Sequence, residues 1–381
     1  MPLFFIIVLS VHALVNFYIG IRGWQALEFY PALRPWFVFL IVIAFLAYPT
    51  GRILEKFWYH PIPISLHWFG AFWFAVMLYA TLLLLFVDLA RIVNLFVPFV
   101  GKLSGGNIPA LKLAVFGIVS MITIFTVGLG HINAWTPKIV RLDLVIPKQA
   151  GQMEYLRIVA ASDIHMGTII GKRRTEKLVN TVNSLNPDII LFAGDIVDED
   201  VGPVIKQNLG ASLLQLHAPY GVYACTGNHE YIGGGEKPIA YLEGHGIKVL
   251  RDTALLINNS FYVVGREDLH KRFASGQARK SLDELLSDAD KSRPLILLDH
   301  QPQNLHEAEI AGIDLQLSGH THYGQLWPLG YVTDRIFELS RGYLQKGNTH
   351  YYVSTGFGTW GPPVRTGNRP EILVINLYFK Q

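Results

Sequence analysis

Charge is almost excluded from the first third of this chain, and that exclusion constrains the fold more than any other feature. Only ten charged residues precede residue 136: Arg22, Glu28, Arg34, Arg52, Glu55, Lys56, Asp88, Arg91, Lys102 and Lys112. Between them, residues 1–21, 35–51, 57–87 and 113–137 carry no charge at all. A helix crossing a bilayer needs about 20 predominantly apolar residues. The intervals therefore predict four spans, over 3–21, 35–48, 66–87 and 111–131. The second is the shortest and is bracketed by Pro35 and Pro49, so a re-entrant or interfacial segment is its alternative reading. A fifth apolar stretch, 92–100, is too short to cross, contains Pro98, and is expected to lie in a loop or along the interface.

Flanking residues agree with spans that are retained. Trp24, Trp36, Trp58, Trp68 and Trp135 fall near predicted ends, where amphipathic rings favour the headgroup level. The first span has no basic leader and no small-residue cleavage site before Arg22, so it reads as an anchor rather than a signal peptide. Four crossings put both termini on one side of an integral, multi-pass membrane protein. Arg52, Lys56, Lys138, Arg141 and Lys148 flank one side, and Arg22, Arg34, Arg91, Lys102 and Lys112 the other. Five against five assigns no orientation. His12, Asn16, His67 and His131 are the polar groups within or beside the spans.

The remainder is a different material. Of 32 basic and 29 acidic residues in the chain, all but ten lie beyond residue 135. The averages of 51% hydrophobic and 16% charged thus describe neither part, and they exclude a wholly soluble or a disordered protein. The formal net charge of +3 comes from the apolar third, which leaves the rest near neutral and argues against a nucleic-acid partner. Cys225 is the only cysteine, so no intrachain disulfide forms, and it reads as a packed strand residue. The domain boundaries expected are a membrane region over 1–135, a connector over 136–152 and a soluble domain over 153–381.

In that domain short apolar runs alternate with amphipathic stretches. Strands are predicted over 155–161, 189–193, 222–225, 261–264, 295–298 and 315–317, with an edge strand over 141–146. Helices are predicted over 174–185, 204–216, 238–244, 282–290 and 303–311. The alternation indicates an α/β fold. Candidate metal ligands follow five of the strands directly: Asp163 and His165, then Asp195, then Asn228, His229 and Glu230, then His300, then His320 and His322. Carboxyl ends of strands in α/β sheets converge on one edge, so these segments would meet in one small volume. Carboxylate, amide and imidazole donors without thiolate suit Mn, Fe or Zn. A spacing of two, as in Asp163-x-His165 and His320-x-His322, points both side chains of a pair the same way on extended backbone.

The ordered set D-x-H, G-D, G-N-H-E, H and G-H-x-H resembles the calcineurin-like metallophosphoesterase superfamily over roughly 153–381. The wording LLDHQP, LSGHTHYGQLWP and GFGTWGPPVR is similar to a membrane-anchored bacterial branch. The resemblance implies a four-layer fold, two β-sheets packed face to face and flanked by helices. It also implies two divalent metal ions, Mn, Fe or Zn. Asp163, His165 and His322 would hold one, Asn228, His300 and His320 the other, and Asp195 would bridge them. A hydroxide bridging the metals would attack phosphorus while His229 stabilises or protonates the leaving oxygen. Glu230 would orient a neighbour. The segment after Asp195 lacks the arginine of protein phosphatases, which weighs against a phosphoprotein substrate. Arg365, Tyr231, Tyr323 and Gln325 are candidates for the substrate pocket. The basic stretch 266–280 reads as a solvated helix-loop, with anionic headgroups as its alternative. The expected activity is hydrolysis of a phosphoester or pyrophosphate on a lipid-linked substrate beside the bilayer. Alternatives are a phosphodiesterase on soluble nucleotides that uses the spans as an anchor, and a non-catalytic membrane sensor. Oligomeric state is not encoded in these motifs.

Overall fold

The computed structural model describes residues 2–380. They form two compact units. One comprises described residues up to 132 with 361–364, the other 133–360 with 365 onward.

The first unit is built on four long apolar helices, Pro2–Ala26, Arg34–Phe57, Pro61–Phe96 and Ile108–Ala134. Each is long enough to cross a bilayer, since a residue adds about 1.5 Å to a helix. Pro35 and Pro61 sit in first turns, where a missing N–H costs nothing. Two expectations are corrected. The second helix does not stop at residue 48 but continues through Pro49 to Phe57. Contact with the third helix outweighs the proline there. A Cβ at Gly70 would come within 2.3 Å of the Tyr48 backbone nitrogen, so only glycine permits this approach. The stretch 92–100 is not simply a loop, because the third helix runs on to Phe96. It ends just before Pro98, whose ring disfavours helix in the preceding residue.

Some polar groups inside this unit are paired with one another. The Trp73 indole donates to Asn16 at 2.9 Å, and Asn16 donates to the His12 carbonyl at 2.8 Å. Glu55, near one end of the second helix, is buried against His67, with its Oε2 3.0 Å from the imidazole Nδ1.

The second unit contains twelve strands: β1 (Lys138–Ile146), β2 (Tyr155–Ala161), β3 (Ile189–Ala193), β4 (Val222–Cys225), β5 (Lys248–Val249), β6 (Thr253–Ile257), β7 (Phe261–Gly265), β8 (Leu295–Leu298), β9 (Leu315–Ser318), β10 (Gly342–Lys346), β11 (Thr349–Val353) and β12 (Glu371–Phe379). They make two six-stranded sheets, ordered β1-β12-β2-β3-β4-β5 and β10-β11-β9-β8-β7-β6. In the first, β2, β3, β4 and β5 run parallel, while β12 runs antiparallel to β2 and parallel to β1. In the second, β7, β8, β9 and β11 are parallel, with β6 and β10 antiparallel at its edges.

Side-chain alternation builds the layers. Ile189 and Leu191 of β3 join Leu156, Ile158, Ile296, Leu298, Leu315 and Leu317 in a core shared by both sheets. Ile190 and Phe192, one residue out of phase, pack with Leu178 and Val182 of the helix Lys172–Ser184. On the far sheet Leu295 and Leu297 pack with Leu305 and Ala308 of the helix Leu305–Ala311. The result is the helix–sheet–sheet–helix arrangement that the motifs implied.

Several sequence-based boundaries shift. The edge strand expected over 141–146 is present as β1, outermost in the first sheet, but starts three residues earlier, at Lys138. The helix expected over 204–216 is two short ones, Gly202–Lys206 and Gly210–Leu213, divided where Asn208 adopts φ 52°. That expected over 282–290 is only Leu282–Leu285, and that over 238–244 is Glu236–Glu243.

Candidate metal centre

Every sequence-predicted ligand lies just beyond the carboxyl end of a parallel strand, and the two sheets deliver them to one place. Three overlapping groups result, each with ligand atoms within 4.8 Å of one another: Asp163, His165 and His322; His165, Asp195 and His229; Asp195, His300 and His320. The resemblance implied one set of Asp163, His165 and His322 and another of Asn228, His300 and His320 around Asp195; the fold brings these residues close together and adds His229, not expected as a ligand, to the middle group.

On one side, His165 Nε2 lies 3.0 Å from His322 Nε2, and His322 Nε2 lies 3.3 Å from Asp163 Oδ1. On the other, His300 Nε2 is 3.1 Å from Asp195 Oδ2 and 3.2 Å from Asn228 Oδ1, while His320 Nδ1 is 2.8 Å from that same Oδ1. Asp195 Oδ2 also lies 3.9 Å from His165 Nε2, which puts this carboxylate between the two sets.

The donor set fits a divalent cation. Two buried imidazole nitrogens facing each other beside a carboxylate repel if both are protonated and waste their lone pairs if neither has a partner. Burial pushes His320 down to about 4, with His300 adding to the effect, and burial together with His165 and Arg365 holds His322 well below the ordinary range. Their lone pairs are therefore available to a metal. His300 runs the other way: burial alone would lower it, but Asp195 raises it well above the usual value. Its Nδ1 donates to the Ala193 carbonyl at 2.7 Å, which turns Nε2 inward, the outer-shell hydrogen bond that orients a metal-binding imidazole.

The loops that hold these groups are conformationally unusual. Asp163, His165, Asp195, His320 and His322 all have positive φ, between 44° and 70°. Such backbone costs about 1–2 kcal/mol per non-glycine residue, and it persists only where surroundings enforce it. The enforcement is visible. Asp163 N donates to the Gly194 carbonyl (3.1 Å) and His165 N to the Asp195 carbonyl (3.0 Å). The Asp163 carboxylate accepts from Ser162 Oγ (2.6 Å) and His320 N (2.9 Å). A Cβ at Gly319 would fall 2.2 Å from Asp163 Oδ2, so this close approach requires glycine. Glu230, expected to orient a neighbour, accepts from the backbone N–H of Asp195, Ile196, Val197 and Gly227 at 2.7–3.1 Å.

His229 lies against His165, with ring centroids 4.5 Å apart, and shares a group with it and Asp195. Its backbone N–H donates to Asp195 Oδ1 at 2.8 Å, and its ring Nδ1 lies 3.1 Å from Asp198 Oδ1. Burial opposes a charge on this ring, but Asp195 and Asp198 lift it to about 9. Asp198 was not singled out from the sequence. It also lies 3.5 Å from His165 Nδ1, and the two imidazoles hold its carboxyl well below the ordinary range despite burial. Its signal was present, a second aspartate three residues after Asp195.

The expected substrate residues fare differently. Arg365 is wholly buried, and all five of its donors are engaged. They meet the carbonyls of Thr355 (2.7 Å) and Gly358 (3.1 and 2.6 Å), the Asn368 side chain, and His322 Nδ1 at 3.2 Å. The expectation that it lines the substrate pocket is replaced by a role holding His322, because a buried guanidinium with no spare donor offers substrate nothing. Tyr231 is buried, with its hydroxyl on Glu267. The Tyr323 hydroxyl donates to Asp334 at 3.1 Å, and Arg341 lies over its ring. Gln325 braces the Trp360 backbone. In the stretch 266–280, Arg266 and Arg279 turn inward to the buried Asp299, which the solvated reading did not foresee. Cys225 is buried as expected, and burial, with Asp299 and Glu230 nearby, pushes its thiol well up.

Residues 156–324 match the calcineurin-like phosphoesterase family. A metallophosphoesterase of Aquifex aeolicus is 35% identical over 224 residues, 58% of this chain and 85% of that protein. One from Campylobacter jejuni is 29% identical over 384 residues, covering 100% of this chain and 99% of its own length. A zebrafish protein described as a transmembrane protein with metallophosphoesterase domain is 29% identical, over 90% of this chain and 80% of its own. The Campylobacter match takes in the four apolar helices, each long and apolar enough to cross a bilayer, and the chain is a membrane protein. With the ligand loops in family order, two mixed sheets between helices and this level of identity, the chain belongs to the calcineurin-like metallophosphoesterase family.

Proposed function

We propose that this protein is a membrane-bound hydrolase of phosphoester or pyrophosphate bonds in lipid-linked substrates. The observation that carries the reading is Asp195, a buried carboxylate set between two histidine-rich groups, with the imidazolium-prone His229 alongside. Asp163, His165 and His322 would hold one divalent cation, and Asn228, His300 and His320 a second, with Asp195 shared. Bound there, the cations would supply Lewis-acid neutralisation of phosphate charge and a water of lowered pKa. His229, whose charged form Asp195 and Asp198 favour, would give a proton to the leaving oxygen. Glu230 and Arg365 hold the loops that carry these groups. The four apolar helices support a substrate that resides in the bilayer.

The test is a turnover screen of the full chain, reconstituted with Mn, Fe or Zn, against lipid phosphates, nucleotide-linked lipids, soluble nucleotides and bis-p-nitrophenyl phosphate. Hydrolysis of a lipid-linked phosphate is expected. Turnover of soluble nucleotides with every lipid inert would overturn the substrate class, and no turnover of any phosphate would overturn the activity.

A further inference from the structure

The chain that leaves the metal centre is unusually apolar for a protein surface. His322 and Tyr323 lead through Trp327 into the helix Gly330–Ile336. Trp327 is 54% exposed, Tyr331 65%, Val332 53% and Ile336 67%. Val332 and Ile336 are one helical turn apart and share a face. Trp360, 57% exposed, is bound next to this segment, because its backbone exchanges hydrogen bonds of 3.0 and 3.1 Å with the Gln325 side chain. The Trp360 ring centroid is 6.2 Å from that of His229, so the surface borders the metal centre itself. Large apolar patches on a folded domain mark sites that something covers.

Two observations select a lipid surface as the cover. The first is composition: two tryptophans and a tyrosine beside aliphatic side chains, with Arg335 on the same helix and Arg341 nearby, both exposed. Aromatic rings with an apolar body and a polar edge favour the headgroup boundary, and cations there meet phosphate. The second is where the chain enters this domain. Asn133, in the last turn of the helix Ile108–Ala134 and the first residue of the second unit, donates to the carbonyls of Arg365 (2.8 Å) and Asn368 (2.7 Å). Thr366, between them, accepts from the Trp327 N–H at 2.9 Å. The apolar surface is thus built onto the same loop that fixes the first residue of the domain.

We propose that Trp327, Tyr331, Val332, Ile336 and Trp360 form a lipid-contact surface that seats in the headgroup–acyl boundary of a phospholipid bilayer beside the metal centre. Such seating lets a phosphate on a lipid headgroup reach the ligand loops without leaving the plane of the membrane. The inference rests on the four helices spanning that membrane, and it deepens the proposed substrate class without depending on turnover.

The experiment uses the full chain in vesicles of phosphatidylcholine and phosphatidylglycerol. Single cysteines replace Val332, Ile124 on the fourth apolar helix (69% exposed) and Leu214 elsewhere on the soluble domain (61% exposed), each labelled with an environment-sensitive fluorophore. Buried Cys225 supplies the wild-type labelling background. Nitroxide-bearing lipids are expected to remove most of the emission at Ile124→Cys and Val332→Cys and to leave Leu214→Cys unchanged. Quenching at Ile124→Cys with none at Val332→Cys overturns the lipid-contact surface alone. A blue-shifted label at Val332→Cys that lipids do not quench also overturns it, because a protein partner then covers the patch. No quenching at Ile124→Cys overturns the spans and the surface together. None of these readouts requires catalysis, so failure of the proposed activity is scored separately.

Discussion

At the scale of single residues, the proposed activity would give Asp195 and His229 different tasks. Asp195 lies within 4 Å of His165 and His300, one from each group, and burial opposes its charge while His300 and His229 hold it well below the ordinary carboxylate range. Asp195→Asn removes the anion that two cations would share, so activity is expected to fall by at least about 100-fold with loss of bound metal by elemental analysis. Full metal content with full activity would refute the bridging role. His229→Gln is expected to retain metal and lose about 10²–10⁴-fold in rate on an alkyl phosphoester. A p-nitrophenyl leaving group needs little protonation, so its loss should be much smaller, and equal losses on both substrates would reject the proton-donor role. Sequence order made both residues legible. Asp198 was harder to see because its role is exerted through His165 and His229, and Arg365 misled because an arginine near a phosphate site looks like an anion binder until its burial is known.

Elements were legible in proportion to how strongly their patterns were written. Strands such as Ile189–Ala193 and Leu295–Leu298, buried on both faces, are continuous apolar runs bounded by polar loops. The strand Gly342–Lys346 pairs with Thr349–Val353 across a two-residue Gly347-Asn348 loop, a hairpin signal that lay unused in the sequence. Glu371–Phe379 lies between two other strands of its sheet, yet it follows a long irregular loop and pairs with strands far away in sequence. Because Leu191 is fully buried between the sheets, Leu191→Ala should cost about 2–5 kcal/mol, read as a lower denaturation midpoint. In the apolar helices, His67→Leu removes a buried donor from Glu55 and is expected to cost about 1–3 kcal/mol. Thermostability of the detergent-solubilised protein measures it, and an unchanged midpoint would show that the pair contributes nothing to helix packing.

For the molecule as a whole, the metal centre is where two sheets cooperate, so a ligand there links their stabilities. Removing metal with a chelator is expected to lower the unfolding temperature of the soluble domain and re-addition of Mn or Zn to restore it, because a ligand that binds only the folded state stabilises that state. Asp195→Asn should abolish that metal-dependent shift. The sequence by itself determined the division into an apolar third and a soluble remainder, since bilayer thickness and the scarcity of charge leave few other outcomes. It also determined the family and the order of ligand loops, because strand ends in an α/β sheet converge whatever the details of packing. Only the tertiary structure decided that a proline-containing helix continues to Phe57, that Arg365 is a brace, and that Asp198 touches two of the histidines. It alone showed that Trp327, Ile336 and Trp360 are exposed and that Trp360 lies beside His229. Those outcomes depend on what lies opposite each side chain across gaps of tens or hundreds of residues, and local pattern carries no record of that.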